Sequence, residues 1–104
     1  MKVDLDSVAR RAIAGLQLMK LTYSGETRVV EPHDYGVIGG VEKIFCWQRE
    51  GTSGEGWRQF IVAKISAPAL TKRKFAGSRP ASGPHLEWDE LYASVSRSPF
   101  KKKA

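Results

Sequence analysis

Few residues in this chain of 104 are of a type and spacing that could do covalent chemistry. Its two histidines, His33 and His85, each follow a proline, in stretches that read as loops. A metal site needs three or four convergent ligands, and neither histidine has companions at ligand spacing, so no metal or cofactor is expected. The single cysteine, Cys46, falls inside an apolar run, where it serves better as a small buried residue than as a nucleophile. Gly36, Gly39 and Gly40 do not make a phosphate loop, because no helix opening with Lys-Ser/Thr follows them. Enzymatic activity is not expected.

Binding chemistry is better represented. Three tryptophans, three tyrosines and four phenylalanines are dense for a small basic chain. Several flank bases: Phe45 and Trp47 with Arg49, Trp57 with Arg58, and Lys74 with Phe75. Aromatic rings stack on nucleobases while Arg and Lys hold phosphates, a combination suited to single strands or nucleotides. A domain this small also needs aromatics in its core. Phe45, Phe60 and Tyr23 are expected there, with Trp47 and Trp57 as the surface pair beside a glycine-rich loop.

The elements that must position these residues begin with a helix. Leu5, Val8, Ala9, Ala12, Ile13, Leu16 and Met19 recur at three- and four-residue steps, with Arg10, Arg11 and Gln17 opposite them. Asp4 or Asp6 can cap it. Too short to stand alone, the helix must pack on a sheet. Leu18–Tyr23 and Thr27–Val30 read as a hairpin turning at Ser24-Gly25-Glu26, with Glu31-Pro32 ending the second strand. Residues 33–40 read as a turn-rich linker whose three apolar side chains lay it along the barrel, with a short strand of its own as the alternative. Val41–Gln48 and Gln59–Lys64 form a second hairpin around Gly51–Gly56, and Ile65–Thr71 a last short strand or turn. Residues 76–86, rich in Pro, Gly and Ser, read as a linker. Trp88, Leu91, Tyr92 and Val95 then predict a short helix over 87–97, followed by a basic tail over 98–104.

Length allows one domain with one modest core, and 41% apolar residues exclude a disordered chain. One cysteine permits no intramolecular disulfide. With no apolar leader and no run of about 18 apolar residues, a soluble cytoplasmic domain with no membrane partner is expected. Residues 1–60 hold eight bases and eight acids; residues 61–104 hold nine bases and three acids, so the whole net charge of +6 lies in the last 44 residues. Two clusters dominate, Lys72-Arg73-Lys74 and Lys101-Lys102-Lys103. Such an end favours polyanions; it equally suits solvated, solubilising charge.

Leu21-Thr22-Tyr23 followed by Arg28-Val29-Val30-Glu31-Pro32 resembles the opening of the WYL domain, in which a strand ending in tyrosine precedes an Arg-x-Val-Glu-Pro-like segment. Lys43–Gln48 falls where that family has its Trp-Tyr-Leu triplet, here Ile44-Phe45-Cys46. Phe60–Ile65 falls on its Phe-Arg-x-Asp-Arg-Ile-like strand, with Ala63 and Lys64 in place of the acid and the arginine. Lysine keeps the charge but lacks the bidentate fork. The resemblance covers residues 9–75. It implies a small five-stranded SH3-like or Sm-like barrel over 1–75, in a bacterial or phage transcription-related regulator that binds nucleic acid or a nucleotide-like ligand. With about 20 residues before the first strand, a stand-alone version without the helix-turn-helix reader that usually accompanies it is expected. Carried over residue by residue, the resemblance implies a pocket of Tyr23, Arg28, Phe45, Arg58 and Lys64, rimmed by Lys72, Arg73 and Lys74. For Arg28 an ion pair with Glu31 or Asp34 is an equal expectation. The rival function is a protein-interaction module that self-associates or docks to a regulatory partner.

Overall fold

A computed structural model describes residues 4–77 and 86–95. Helix α1 (Leu5–Gly15) starts at Asp4, whose carboxylate accepts the Ser7 N–H at 3.3 Å. It stops because Leu16 turns into the left-handed region (φ 53°) and returns its N–H to the carbonyls of Ala12 and Ile13. The helix is thus shorter than the apolar periodicity predicts. Met19, the last residue of that pattern, and Gln17 belong to the first strand instead. Val8, Ala9, Ala12 and Ile13 are the buried stripe of α1.

Six antiparallel strands follow: β1 (Gln17–Tyr23), β2 (Glu26–Ile38), β3 (Val41–Glu50), β4 (Gly56–Ile61), β5 (Ser66–Lys74) and β6 (Glu90–Ser94). Their order is β4-β3-β2-β1-β5, with β6 also on β2. The hydrogen-bonded path ends at β4 on one side and β5 on the other, so the sheet is open and the five-stranded closed barrel is not what the pairing forms. A 3-10 turn, Val62–Lys64, joins the two end strands and replaces the second half of the strand expected over 59–64.

Two expectations are corrected along β2. Pro32 does not end this strand, which runs on through the predicted linker to Ile38. The proline sits at a register shift against β3, between Pro32↔Cys46 and Asp34↔Phe45. On the other edge of β2 it falls between the β1 partners, which stop at Val30, and the β6 partners, which start at Asp34. A missing N–H is tolerated at a bulge of this kind. The strand then turns back through Gly39-Gly40, both at positive φ (61° and 76°), the backbone of a two-residue hairpin that suits glycine.

The predicted carboxy-terminal helix is a strand. β1 leaves the far half of β2 with an open edge, and β6 fills it by pairing with Asp34–Val37. The Asp89 N–H reaches the Val37 carbonyl at 2.7 Å, and the Val95 N–H reaches that of His33 at 2.8 Å. A helix over the same residues would satisfy its own backbone but leave that edge of β2 unpaired. Gly36 admits β6, since a Cβ there would run into the Glu90 carbonyl and the Leu91 backbone. Tyr92 locks the strand down: its ring packs edge-on against Tyr35 at 4.9 Å, and its hydroxyl donates to Glu42 at 2.9 Å.

The main core lies between α1 and one face of the sheet, where Leu21, Val30, Ile44, Cys46 and Phe60 pack with the helix stripe. Residues directly opposite across β3 and β4 share a face, so Ile44↔Phe60 look towards this core and Trp47↔Trp57 look away. Phe45 goes with the tryptophans. It is 1% exposed, outside the α1 core, and stacked on Trp57 at 4.7 Å with planes 9° apart. The predicted linker and tail, apart from residues 76, 77 and 86, lie outside the described residues.

Candidate nucleic-acid interface

Arg28 is a structural cation, 8% exposed. From β2 its guanidinium donates to the Gln48 Oε1 at 3.0 Å and the Tyr23 carbonyl at 3.2 Å, and pairs with Glu26 at 2.9 Å. It also lies over the rings of Tyr23 (5.6 Å) and Phe60 (5.4 Å). The expected ion pair exists with a different acid: Glu26 rather than Glu31 or Asp34. Glu31 is held by Arg49 at 2.8 Å.

This knot anchors the loop between β3 and β4. Gln48 donates to the Ser53 hydroxyl and the Gly54 carbonyl, both at 2.9 Å. Glu26 accepts the Thr52 hydroxyl and the Ser53 N–H, both at 2.8 Å. Arg58 closes the ring, donating to the carbonyls of Ser53 and Gly54 at 3.0 and 2.9 Å and to that of Trp57 at 3.0 Å. The Ser53 N–H, then the Thr52 hydroxyl, hold the Glu26 carboxyl below the ordinary glutamate range, with Arg28 adding a smaller pull. A glycine-rich segment that reads as flexible is therefore tied at several points. Gln48 and Glu26 are the members that the sequence reading missed; an uncharged residue within an apolar run was the one available sign of Gln48.

The implied pocket of Tyr23, Arg28, Phe45, Arg58 and Lys64 is only partly gathered. Tyr23, Arg28 and Arg58 meet around this loop, but the protein itself takes both terminal nitrogens of Arg28 and buries its Nε without a partner; even the Tyr23 hydroxyl is taken, accepting the Ile61 N–H at 3.1 Å. Phe45 lies in the aromatic layer on the other face. Lys64 stands exposed on the 3-10 turn, with none of the contacts that define the knot.

The implied rim is different in kind. Lys72, Arg73 and Lys74 are all exposed on β5, an end strand of the sheet. Arg73 pairs with Glu50 at 2.9 Å, with both side chains about half exposed (51% and 54%). Lys20 is exposed on the adjacent strand, opposite Ala69. Phe75 turns away from these bases and is buried, stacked on the His33 ring at 5.5 Å. The other lysine cluster, 101–103, lies outside the described residues.

Burial pushes the Cys46 thiol well above its ordinary value, with Asp34 and Glu31 acting in the same direction, so the sulfur stays protonated and unreactive at neutral pH. Among the described residues no cluster of three His, Cys, Asp or Glu could hold a metal ion, and no helix is long and apolar enough to cross a membrane. No protein-family model matches the chain, and neither the curated proteins nor the solved structures contain a match. The WYL resemblance thus rests on the residues that carry it.

Proposed function

We propose that this chain is a non-enzymatic, WYL-like regulatory domain that binds nucleic acid, with β5 as the contact surface. The observation that carries this reading is the exposed run Lys72-Arg73-Lys74 on an end strand, with Lys20 exposed on the adjacent strand. Charge of one sign spread along a strand attracts a polyanion at long range and holds it through phosphates. The regulatory part comes from the resemblance of the Leu21–Pro32 segment, which also implies a barrel-like arrangement of the strands. The test is anisotropy of a labelled oligonucleotide titrated with the protein between 50 and 200 mM salt. With about four cations engaged, affinity falls roughly 50-fold for a single strand over that range. Binding that ignores salt removes phosphate contact from the reading.

One observation favours the rival, a protein-interaction module. β4 is the other end of the sheet, and among the described residues no strand pairs with its outer edge. β5 carries Pro68 and three bases, features that blunt edge-to-edge pairing, whereas β4 (Gly56–Ile61) carries neither proline nor lysine. Pairing of β4 with a second copy gives a two-fold dimer. Light scattering that stays monomeric at high protein concentration excludes that dimer.

A further inference from the structure

We infer that the β5 surface reads phosphates and not bases, and so takes duplex as readily as single strands. This rests on the proposed nucleic-acid reading and makes its ligand class more specific. Stacking needs a ring whose face is open to solvent. Every aromatic side chain among the described residues is buried or half-buried. The rings nearest the bases in sequence are committed elsewhere. Phe75, next to Lys74, is 7% exposed and packed on His33. Trp57, next to Arg58, has Phe45 against its face and Trp47 edge-on at 5.3 Å. Tyr23 has the Arg28 guanidinium over its ring and Phe60 edge-on at 4.7 Å.

The exposed groups that remain are long, flexible cations. Lys64, Lys72 and Lys74 carry point charges on flexible stems, without the rigid planar fork that pre-organises two bonds to a base edge. Arg73 has that fork, but Glu50 occupies part of it. β5 itself carries no aromatic ring to stack on a base and no free planar fork to pair with a base edge, which leaves the phosphate backbone. Duplex offers a phosphate every 1.7 Å or so of axis and releases more counterions per contact than a single strand does.

The experiment compares three labelled 20-mers at 50 mM salt: oligo-dT, a mixed-sequence duplex, and an abasic strand with the same phosphates and no bases. The abasic strand binds within about threefold of oligo-dT, and the duplex binds at least as tightly as oligo-dT. Stacking is worth roughly 5- to 150-fold per base, so a loss of tenfold or more on removing the bases overturns the inference. So does a tenfold preference for oligo-dT over duplex. The double substitution Lys72→Gln/Lys74→Gln lowers the salt slope by about 1.8 on duplex and about 1.4 on single strand. If that variant binds unchanged while Lys101→Gln/Lys102→Gln/Lys103→Gln abolishes binding, the surface is not β5 and the inference falls. Failure of all three probes to bind the wild-type chain is a separate result, which removes the nucleic-acid reading itself.

Discussion

Arg28 and the bases of β5 lie on the same sheet with opposite employment. Arg28 is ringed by Gln48, the Tyr23 carbonyl, Glu26 and two aromatic faces. Lys72 and Lys74 stand in solvent on an end strand. Burial is costly for a cation unless it is paired and hydrogen-bonded; Arg28 has both terminal nitrogens so held and its Nε shut away from solvent, so it has little left to offer a ligand. An exposed lysine contributes little to folding and keeps its charge available. The base at the centre of the implied pocket is thus enclosed by the fold, while the bases of its implied rim stand open to solvent.

Substitutions at Arg28 break this contrast most directly. Arg28→Met leaves Glu26 and Gln48 without their partner and lowers stability by about 3–5 kcal/mol. At about 4–8 °C per kcal/mol for a domain of this size, calorimetry registers a melting temperature lower by 12 °C or more. Arg28→Lys recovers only part of the loss, because an ammonium cannot reproduce the fork that serves Gln48 and Glu26 together. A stable Arg28→Met chain with impaired oligonucleotide binding would instead place Arg28 in the site.

A smaller effect belongs to Tyr35, whose hydroxyl donates to Asp6 at 2.8 Å and ties β2 to α1. Tyr35→Phe costs about 0.5–1.5 kcal/mol, read from denaturant unfolding. Burial first, and the Asp6 bond second, raise the Tyr35 phenol above its ordinary value. The stabilisation is therefore complete below pH 10 and is lost as the pH rises through the higher folded value. The wild-type chain loses more stability on alkaline titration than the phenylalanine variant does.

Acid tests the loop tie. The folded Glu26 titrates below its ordinary value, so its contribution is present above about pH 4 and disappears as the pH falls through the lower folded value. Amide exchange at Ser53, whose N–H the carboxylate holds, speeds up in that window relative to the β1–β2 strand amides. The least effect on stability comes from Lys72→Gln/Lys74→Gln, within about 0.5 kcal/mol of wild type. A larger drop would make the β5 bases part of the fold and erase the contrast with Arg28.

Local patterns were legible where the backbone answers to neighbours in sequence. The apolar stripe of α1 with its Asp4 cap, the turns at Ser24-Gly25 and around residues 51–56, and the pairing of β3 with β4 all follow from spacing and turn chemistry. Tyr23, Arg28 and Arg58 were expected together and do gather at one loop, though for a structural task. Two of the misreadings share one cause. Pro32 reads as a stop and Trp88–Val95 as a helix only while β2 is considered alone. Once the β1–β2 pairing ends at Met19↔Val30, the rest of β2 needs a partner, and the carboxy-terminal segment supplies it as β6. Phe45 and Cys46, adjacent in sequence, go to opposite faces of the sheet, an outcome set by strand alternation. That Phe45 meets Trp57 instead of solvent is set by packing.

The sequence by itself determined a small, mainly β domain with one amino-terminal helix, and a basic surplus confined to its last 44 residues. Apolar period, turn residues and charge are properties of neighbours along the chain. Tertiary structure alone decided which bases are buried and which are free, because desolvation depends on what arrives from distant strands. Gln48, twenty residues on from Arg28, turns that arginine into a fastener. The position of β5 at the end of an open sheet leaves Lys72 and Lys74 facing water.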